Sequence, residues 1–191
     1  METLNYQMDG ESVQALRSII GLECKVMMSS EGAGFESNTV TSLSPLFFQI
    51  PAGFIELSND WYTSPQGHDF HLPIARFIHE LNPKDVKAGQ LEGVKLFEAS
   101  KAIKFIEVFS LRSRKAVKEN FTDKVFVPSS EVVIYDFGFN IVFIDGDCIS
   151  IKTEDDSILG AWLISDEPIE PYHVEDIYEE TLETRIRITS Q

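Results

Sequence analysis

Two cysteines, Cys24 and Cys148, are all that the 191-residue chain contains. They stand far apart, so the cross-linked framework on which small extracellular domains rely is missing, and a reducing, intracellular setting is expected. Cys148 borders an apolar run and reads as a small core residue rather than a reactive thiol. Basic residues are scarce too: 16 Lys and Arg face 31 Asp and Glu, giving a formal net charge of −15 and a pI near 4.6. Neutralising phosphates takes a surplus of Lys and Arg, so a nucleic-acid backbone is excluded as a general partner. An anionic membrane surface is excluded on the same ground. Long apolar runs are also lacking. The longest, Leu46 to Ile55, is interrupted by Gln49, Pro51 and Gly53 and falls far short of the ~20 residues of a membrane span. The opening residues Met1-Glu2-Thr3-Leu4-Asn5-Tyr6 carry neither the basic start nor the apolar centre of a secretory signal, and the expected compartment is the cytoplasm.

The loops that carry common chemistries are absent. There is no G-x-S-x-G, no phosphate loop of the G-x-x-x-x-G-K type and no G-x-G-x-x-G fingerprint. Gly32-Ala33-Gly34 comes nearest, but the third glycine and the preceding long apolar strand are missing. With 31 acids, chance proximity alone supplies carboxylate pairs, so none can be singled out for acid–base work. A non-enzymatic role is therefore favoured over an enzyme, and no cofactor is expected.

What the chain does have is material for a core. Phe alone contributes 14 residues and apolar types 43%, unlike a disordered acidic chain. One domain over residues 1–191 is expected, with a minor sub-boundary near 82–92 where Pro, Lys, Gly and Gln cluster. Val13, Leu16, Ile19 and Ile20 share a helical face before Gly21, which predicts a short amphipathic helix. Leu22–Met28 reads as a strand and residues 29–44 as a loop. Two strands joined at Pro51-Ala52-Gly53 fit the run from Leu46 to Trp61. Ile74–Leu81 is expected as a short helix ended by Asn82-Pro83, Lys101–Leu111 as a strand, Arg112–Asn120 as a turn or brief helix, and Val125–Val127 as another short strand.

Between Glu131 and Ile164 several β-prone runs are separated by Asp136-Phe137-Gly138, Asp145-Gly146 and Asp155-Asp156-Ser157. An Asp-Gly pair flanked by apolar residues is a strong hairpin signal. The reading is an antiparallel meander with Val142, Ile144, Cys148 or Ile149, and Ile151 on its buried face. Val174–Leu182 is expected as a surface helix and Thr184–Thr189 as an edge strand. The class that follows is α+β: mainly antiparallel sheet, including this carboxy-terminal meander, with a few short helices.

Four features invite a functional reading. His68, Asp69 and His71 fall together in one loop, with His79 beyond, and imidazole and carboxylate are zinc ligands. No cysteine is near to complete a structural site, and polar loop residues packing on aromatics explain the group more simply. Asp145-Gly146-Asp147 and Glu154-Asp155-Asp156 suggest calcium, but counting from Asp145 puts Ile149 where a helix–loop–helix calcium loop needs an oxygen ligand. Hairpin turns account for both. Trp61 and Tyr62 close an aromatic concentration beginning at Phe47; packing is the default, exposed interface anchors the alternative.

The fourth feature is the distribution of charge. Residues 131–191 hold 15 acids and 3 bases, whereas residues 101–130 hold 3 acids and 7 bases. Solubility is the plain explanation. Steering of a basic partner to Asp166, Glu167, Glu170, Glu175, Asp176, Glu179 and Glu180 is the functional one. Two functions follow as expectations. The first is a non-enzymatic cytosolic binding or inhibitory protein that engages a basic protein partner, of which a toxin-neutralising immunity protein is the concrete form. The second is a small metal- or ligand-binding enzyme using the His68/Asp69/His71 loop, with Trp61 and Tyr62 as a pocket wall. Oligomeric state is left open.

Overall fold

A computed structural model describes residues 1–29, 33–36, 38–42, 45–81, 94–118, 126–154, 161–175 and 179–190. Strand occupies 66% and helix 7%, so the α+β expectation gives way to a mostly β protein with antiparallel sheets. In chain order the elements are β1 (Glu2–Tyr6), α1 (Gly10–Ser18), β2 (Glu23–Ser29), β3 (Ala33–Glu36), β4 (Thr39–Ser42), β5 (Leu46–Ile50), β6 (Gly53–Thr63), β7 (Asp69–Ile78) and β8 (Val94–Arg114). Then follow β9 (Ala116–Lys118), β10 (Phe126–Pro128), β11 (Glu131–Phe143), β12 (Cys148–Thr153), β13 (Trp162–Ser165), β14 (Tyr172–Glu175) and β15 (Glu179–Ile188).

The helix forms where the apolar spacing placed it. Asp9 caps its first turn, its carboxylate accepting a 2.7 Å bond from the Ser12 N–H. Glu11 in the first turn and Arg17 in the last suit the helix dipole. Nine residues are too few to stay helical alone, and tertiary burial of Ala15 and Leu16 supplies the rest. The other expected helices are strands. Ile74–Leu81 falls largely within β7, and Val174–Leu182 is divided between β14 and β15. Residues 29–44, expected as loop, contain β3 and β4, while Arg112–Asn120 holds the end of β8 and all of β9. The Asn82–Glu92 boundary, Gly32 and Asp155-Asp156-Ser157 lie outside the described residues.

Strand order runs β3-β4-β13-β12-β11-β8-β2-β5-β6-β7, with β15 also pairing β8, β14 pairing β15, and β1 pairing β11 in parallel. The 21-residue β8 is common property: its first part pairs with β2 and its later part with β11 and β15. Leu46, Phe48, Ile55 and Leu57 from β5 and β6 meet Phe139, Ile141, Ile151 and Trp162 from β11 to β13 in one core, closed by Leu16 and Ile19. Each such fully buried side chain contributes roughly 1.5–3 kcal/mol.

Two bulges flank β8 at one level. Phe137 is the extra residue between Asp136↔Ser110 and Gly138↔Phe109, and Arg185 the extra one between Thr184↔Phe109 and Ile186↔Val108. An added residue exchanges the two faces of a strand. Val133 and Tyr135 therefore join Phe109, Leu111 and Leu182 in a second cluster, whereas Phe139, Ile141 and Phe143 enter the main core. The expected buried pair Val142 and Ile144 is off by one position: Ile144 is 66% exposed, and Ile141 and Phe143 are the buried residues. The same bulge leaves Asp136 wholly buried. Arg185 grips it from β15, and Ser110 Oγ (2.7 Å) and Met8 N–H (2.8 Å) complete its hydrogen bonding.

Candidate functional site

Of the acidic residues singled out from the sequence, Asp166, Glu167 and Glu170 lie in the segment after β13, and Glu175, Glu179 and Glu180 lie on the β14–β15 hairpin. After β13 the chain leaves the sheet through Asp166 to Glu170, and the Asn140 side chain fixes its course. Asn140 Nδ2 donates to the Ile169 carbonyl at 3.1 Å, and Asn140 Oδ1 accepts from the Ile169 N–H at 2.9 Å. Ile169 is thereby sunk into the second cluster, while Asp166, Glu167 and Glu170 on either side remain exposed. Glu167 and Glu170 line a cavity of about 290 Å³ whose walls include Phe137, Leu163, Leu182 and Tyr172.

From this segment the chain enters β14, which among the described residues pairs only with β15. All four of its residues are exposed. Glu175 stands directly opposite Glu179, and Val174 opposite Glu180. Glu179 also lies beside Arg114 in the β8 register, and Glu180 accepts a 3.2 Å bond from Ser113 Oγ. Asp176 is outside the described residues. Thr184–Thr189, expected as an edge strand, lies mostly within β15; β14 reaches only Glu179–Leu182, so Thr184–Ile188 pairs with β8 on one side and, among the described residues, with no strand on the other.

Elsewhere four carboxylates are matched to cations. Asp136 holds Arg185, Glu107 holds Arg187, and Lys101 bridges Asp145 and Asp147. That bridge occupies the Asp145-Gly146-Asp147 turn, whose Gly146 has the positive φ (95°) that the hairpin needs; an ammonium group sits where calcium would have been sought. Among the described residues, no Lys, Arg or His forms an ion pair with Asp166, Glu167, Glu170, Glu175, Glu179 or Glu180.

The histidine loop is built differently from its sequence reading. Ser64 to His68 is the tight connection of β6 to β7, closed by the Ser64 N–H on the His68 carbonyl and by the His68 N–H on Ser64 Oγ. Asp69 is already engaged, its carboxylate accepting from Thr63 Oγ1 at 2.6 Å. His68 and His71 are both buried. The His68 ring stands edge-on to Phe70 and Tyr135. Burial pushes its pKa down to about 4, with Lys115 adding to the depression and Asp69 opposing it. His79 is exposed and packs edge-on against Phe77. Among the described residues no three His, Cys, Asp or Glu side chains come together as a metal site.

The two candidate anchors separate. Trp61 is 61% exposed, whereas Tyr62 stacks on Phe70 at 5.7 Å and contacts Tyr6. Cys148 is half-buried, and burial together with Glu107 and Glu170 pushes its thiol up to about 11. It is not poised as a nucleophile. Comparison with protein-family models, curated proteins and solved structures finds no match. Among the described residues, no helix is long and apolar enough to cross a membrane.

Sequence reasoning missed Tyr172 and Val174, which present 41% and 46% of their surface on β14. Their signal was the alternation Tyr-His-Val-Glu ahead of a second alternating run, which is strand-like rather than helical.

Proposed function

We propose that this protein is a non-enzymatic, cytoplasmic binding protein whose acidic carboxy-terminal region engages a basic protein partner, acting as an immunity-type inhibitor that masks a cationic active site. The observation that carries this reading is the accumulation of unpaired acids along one stretch of chain: Asp166, Glu167, Glu170, Glu175, Glu179 and Glu180 form no ion pair among the described residues, and the first four are exposed. An unneutralised acidic surface steers cationic partners and accelerates their encounter. The buried histidines and the engagement of Asp69 give the enzyme alternative no comparable support.

Affinity capture from cell extract tests the reading. The intact protein should retain a basic protein at low salt and release it as ionic strength rises. A variant carrying Glu175→Lys, Glu179→Lys and Glu180→Lys should lose that protein. Capture unaffected by both salt and charge reversal sinks the proposal.

A further inference from the structure

α1 and β7 enclose a groove that the basic-partner reading leaves unused. The helix packs close on the strand because the residues between them are small: Ser12 Oγ accepts the Ala75 N–H at 3.2 Å, and Ala15 and Ala75 are buried in the same cluster. One flank of the helix carries Glu11, Gln14 and Ser18, spaced three and four residues apart on a single stripe. Between that flank, Ala52 at the β5–β6 turn, and Phe77 lies a groove of about 780 Å³, floored by the buried Ala15, Ile50 and Ala75.

The rim decides what kind of occupant fits. A small-molecule site encloses most of its ligand, whereas Glu11, Gln14, Ser18, Arg76 and Phe77 are all exposed. A broad surface of this kind suits a protein. Phe77 presents 39% of its area at the mouth, with the His79 ring edge-on to it at 4.9 Å. Aromatic residues and Arg are the types that protein interfaces concentrate at their centres.

The charges of the rim are mixed. Glu11 stands on the α1 wall and Arg76 on the β7 wall, and among the described residues neither forms an ion pair. Asp9 is committed to the Ser12 N–H as the helix cap. A basic segment would be opposed by Arg76 and an acidic one by Glu11. A second copy of the chain carries the complement of both. A two-fold axis running along the groove lays the α1 wall of one copy over the β7 wall of the other, and every contact is then made twice, once in each direction. Glu11 of each copy faces Arg76 of the other, and each Phe77 is carried over the apolar floor of the opposite groove. Glu11 and Arg76 cancel, so this face escapes the repulsion that two acidic faces of a chain of net charge −15 would impose.

We propose that the groove between α1 and β7 is the interface of a symmetric homodimer, in which Phe77 of each copy enters the groove of the other and Glu11 pairs across with Arg76. It is independent of the basic-partner reading, which concerns the carboxy-terminal acids.

Sedimentation equilibrium of the intact protein over a concentration series tests the dimer. The parent should show a concentration-dependent equilibrium between monomer and dimer. Glu11→Arg and Arg76→Glu change exposed positions, so both variants should keep the cooperative thermal melt of a folded protein. Each should weaken self-association by about tenfold or more, since each sets like charges face to face twice. Phe77→Ala should weaken it by a similar factor. Mixing the two charge variants in equal amounts should restore dimers, because one then brings two positive charges to the interface and the other two negative. A protein that is monomeric at every concentration overturns the proposal. So does a dimer indifferent to all three substitutions, whose interface must lie elsewhere. Weakened single variants whose mixture stays monomeric overturn the cross-pairing of Glu11 with Arg76. A monomer that binds an apolar dye, and loses it in Phe77→Ala, assigns the groove to a small ligand instead.

Discussion

Arg185 meets Asp136 through two parallel bonds of 2.7 Å, Nε to Oδ1 and Nη2 to Oδ2, reaching across β8 from the bulge in β15. The carboxylate is completely buried and the arginine side chain 19% exposed. A buried ion pair adds little net stability against a well-packed apolar substitute, but removing one partner leaves an uncompensated charge. Arg185→Met should therefore destabilise the protein by about 3–5 kcal/mol in denaturant unfolding. Adding Asp136→Leu should recover much of that loss. A single variant as stable as the parent would refute the claim that the pair is buried and mutually dependent.

Acid should weaken the fold through His68. Its folded pKa is held near 4 against an ordinary 6.5, so between those values the unfolded chain takes up a proton that the native protein refuses. Stability present above pH 6.5 is progressively lost as the pH falls and levels off below 4, by about 3 kcal/mol for this group. Thermal melts from pH 7 to 4 should show a shallower decline for His68→Gln than for the parent. Parallel declines would contradict the assignment.

Gly138 is required by its neighbours rather than by its own backbone angles. A Cβ there would stand 2.7 Å from Lys152 Cα and closer still to the Ile151 carbonyl oxygen, whereas at Gly10 it would meet open space. Gly138→Ala should cost roughly 2–3 kcal/mol, while Gly10→Ala at the helix start should change stability by under ~1 kcal/mol. Comparable losses at both sites in chemical denaturation would disprove the close contact with β12.

Thiol labelling should be slow in the native protein. Cys24 is 1% exposed, and the Cys148 thiol titrates near 11, so almost none is thiolate at neutral pH. Iodoacetamide at pH 7.5 should label the folded protein far more slowly than the unfolded one, as mass spectrometry would record. Rapid native alkylation of Cys148 would reopen it as a reactive group.

The parts legible from the sequence were those decided locally. The apolar spacing of Val13, Leu16 and Ile19 predicted α1, and Pro51-Ala52-Gly53 and Asp145-Gly146 predicted two hairpins that the structure contains. The errors arose where tertiary contacts decide. Ile74, Phe77, Ile78 and Leu81 have helical spacing, yet this stretch continues a strand whose Phe70, His71, Leu72 and Pro73 are all buried, so strand alternation is hidden. The Phe137 bulge likewise exchanges the faces of β11 with no local signal beyond Gly138. The acidic residues of the candidate surface were visible individually, but their arrangement on the sheet depends on which strands pair, and the pairing of β15 with β8 is long-range.

The parallel pairing of β1 with β11 sets an order of assembly. Met8, which follows β1, bonds to a residue 128 positions further along the chain. During synthesis from the amino end, the first strand must wait for Glu131–Tyr135 to appear before it has anything to pair with. Asp136 in turn lacks its counter-charge until residue 185 has been made. Contacts of this range slow folding, and until they form, β1 and the faces awaiting it are open to holdase chaperones and to misplaced strands from neighbouring chains.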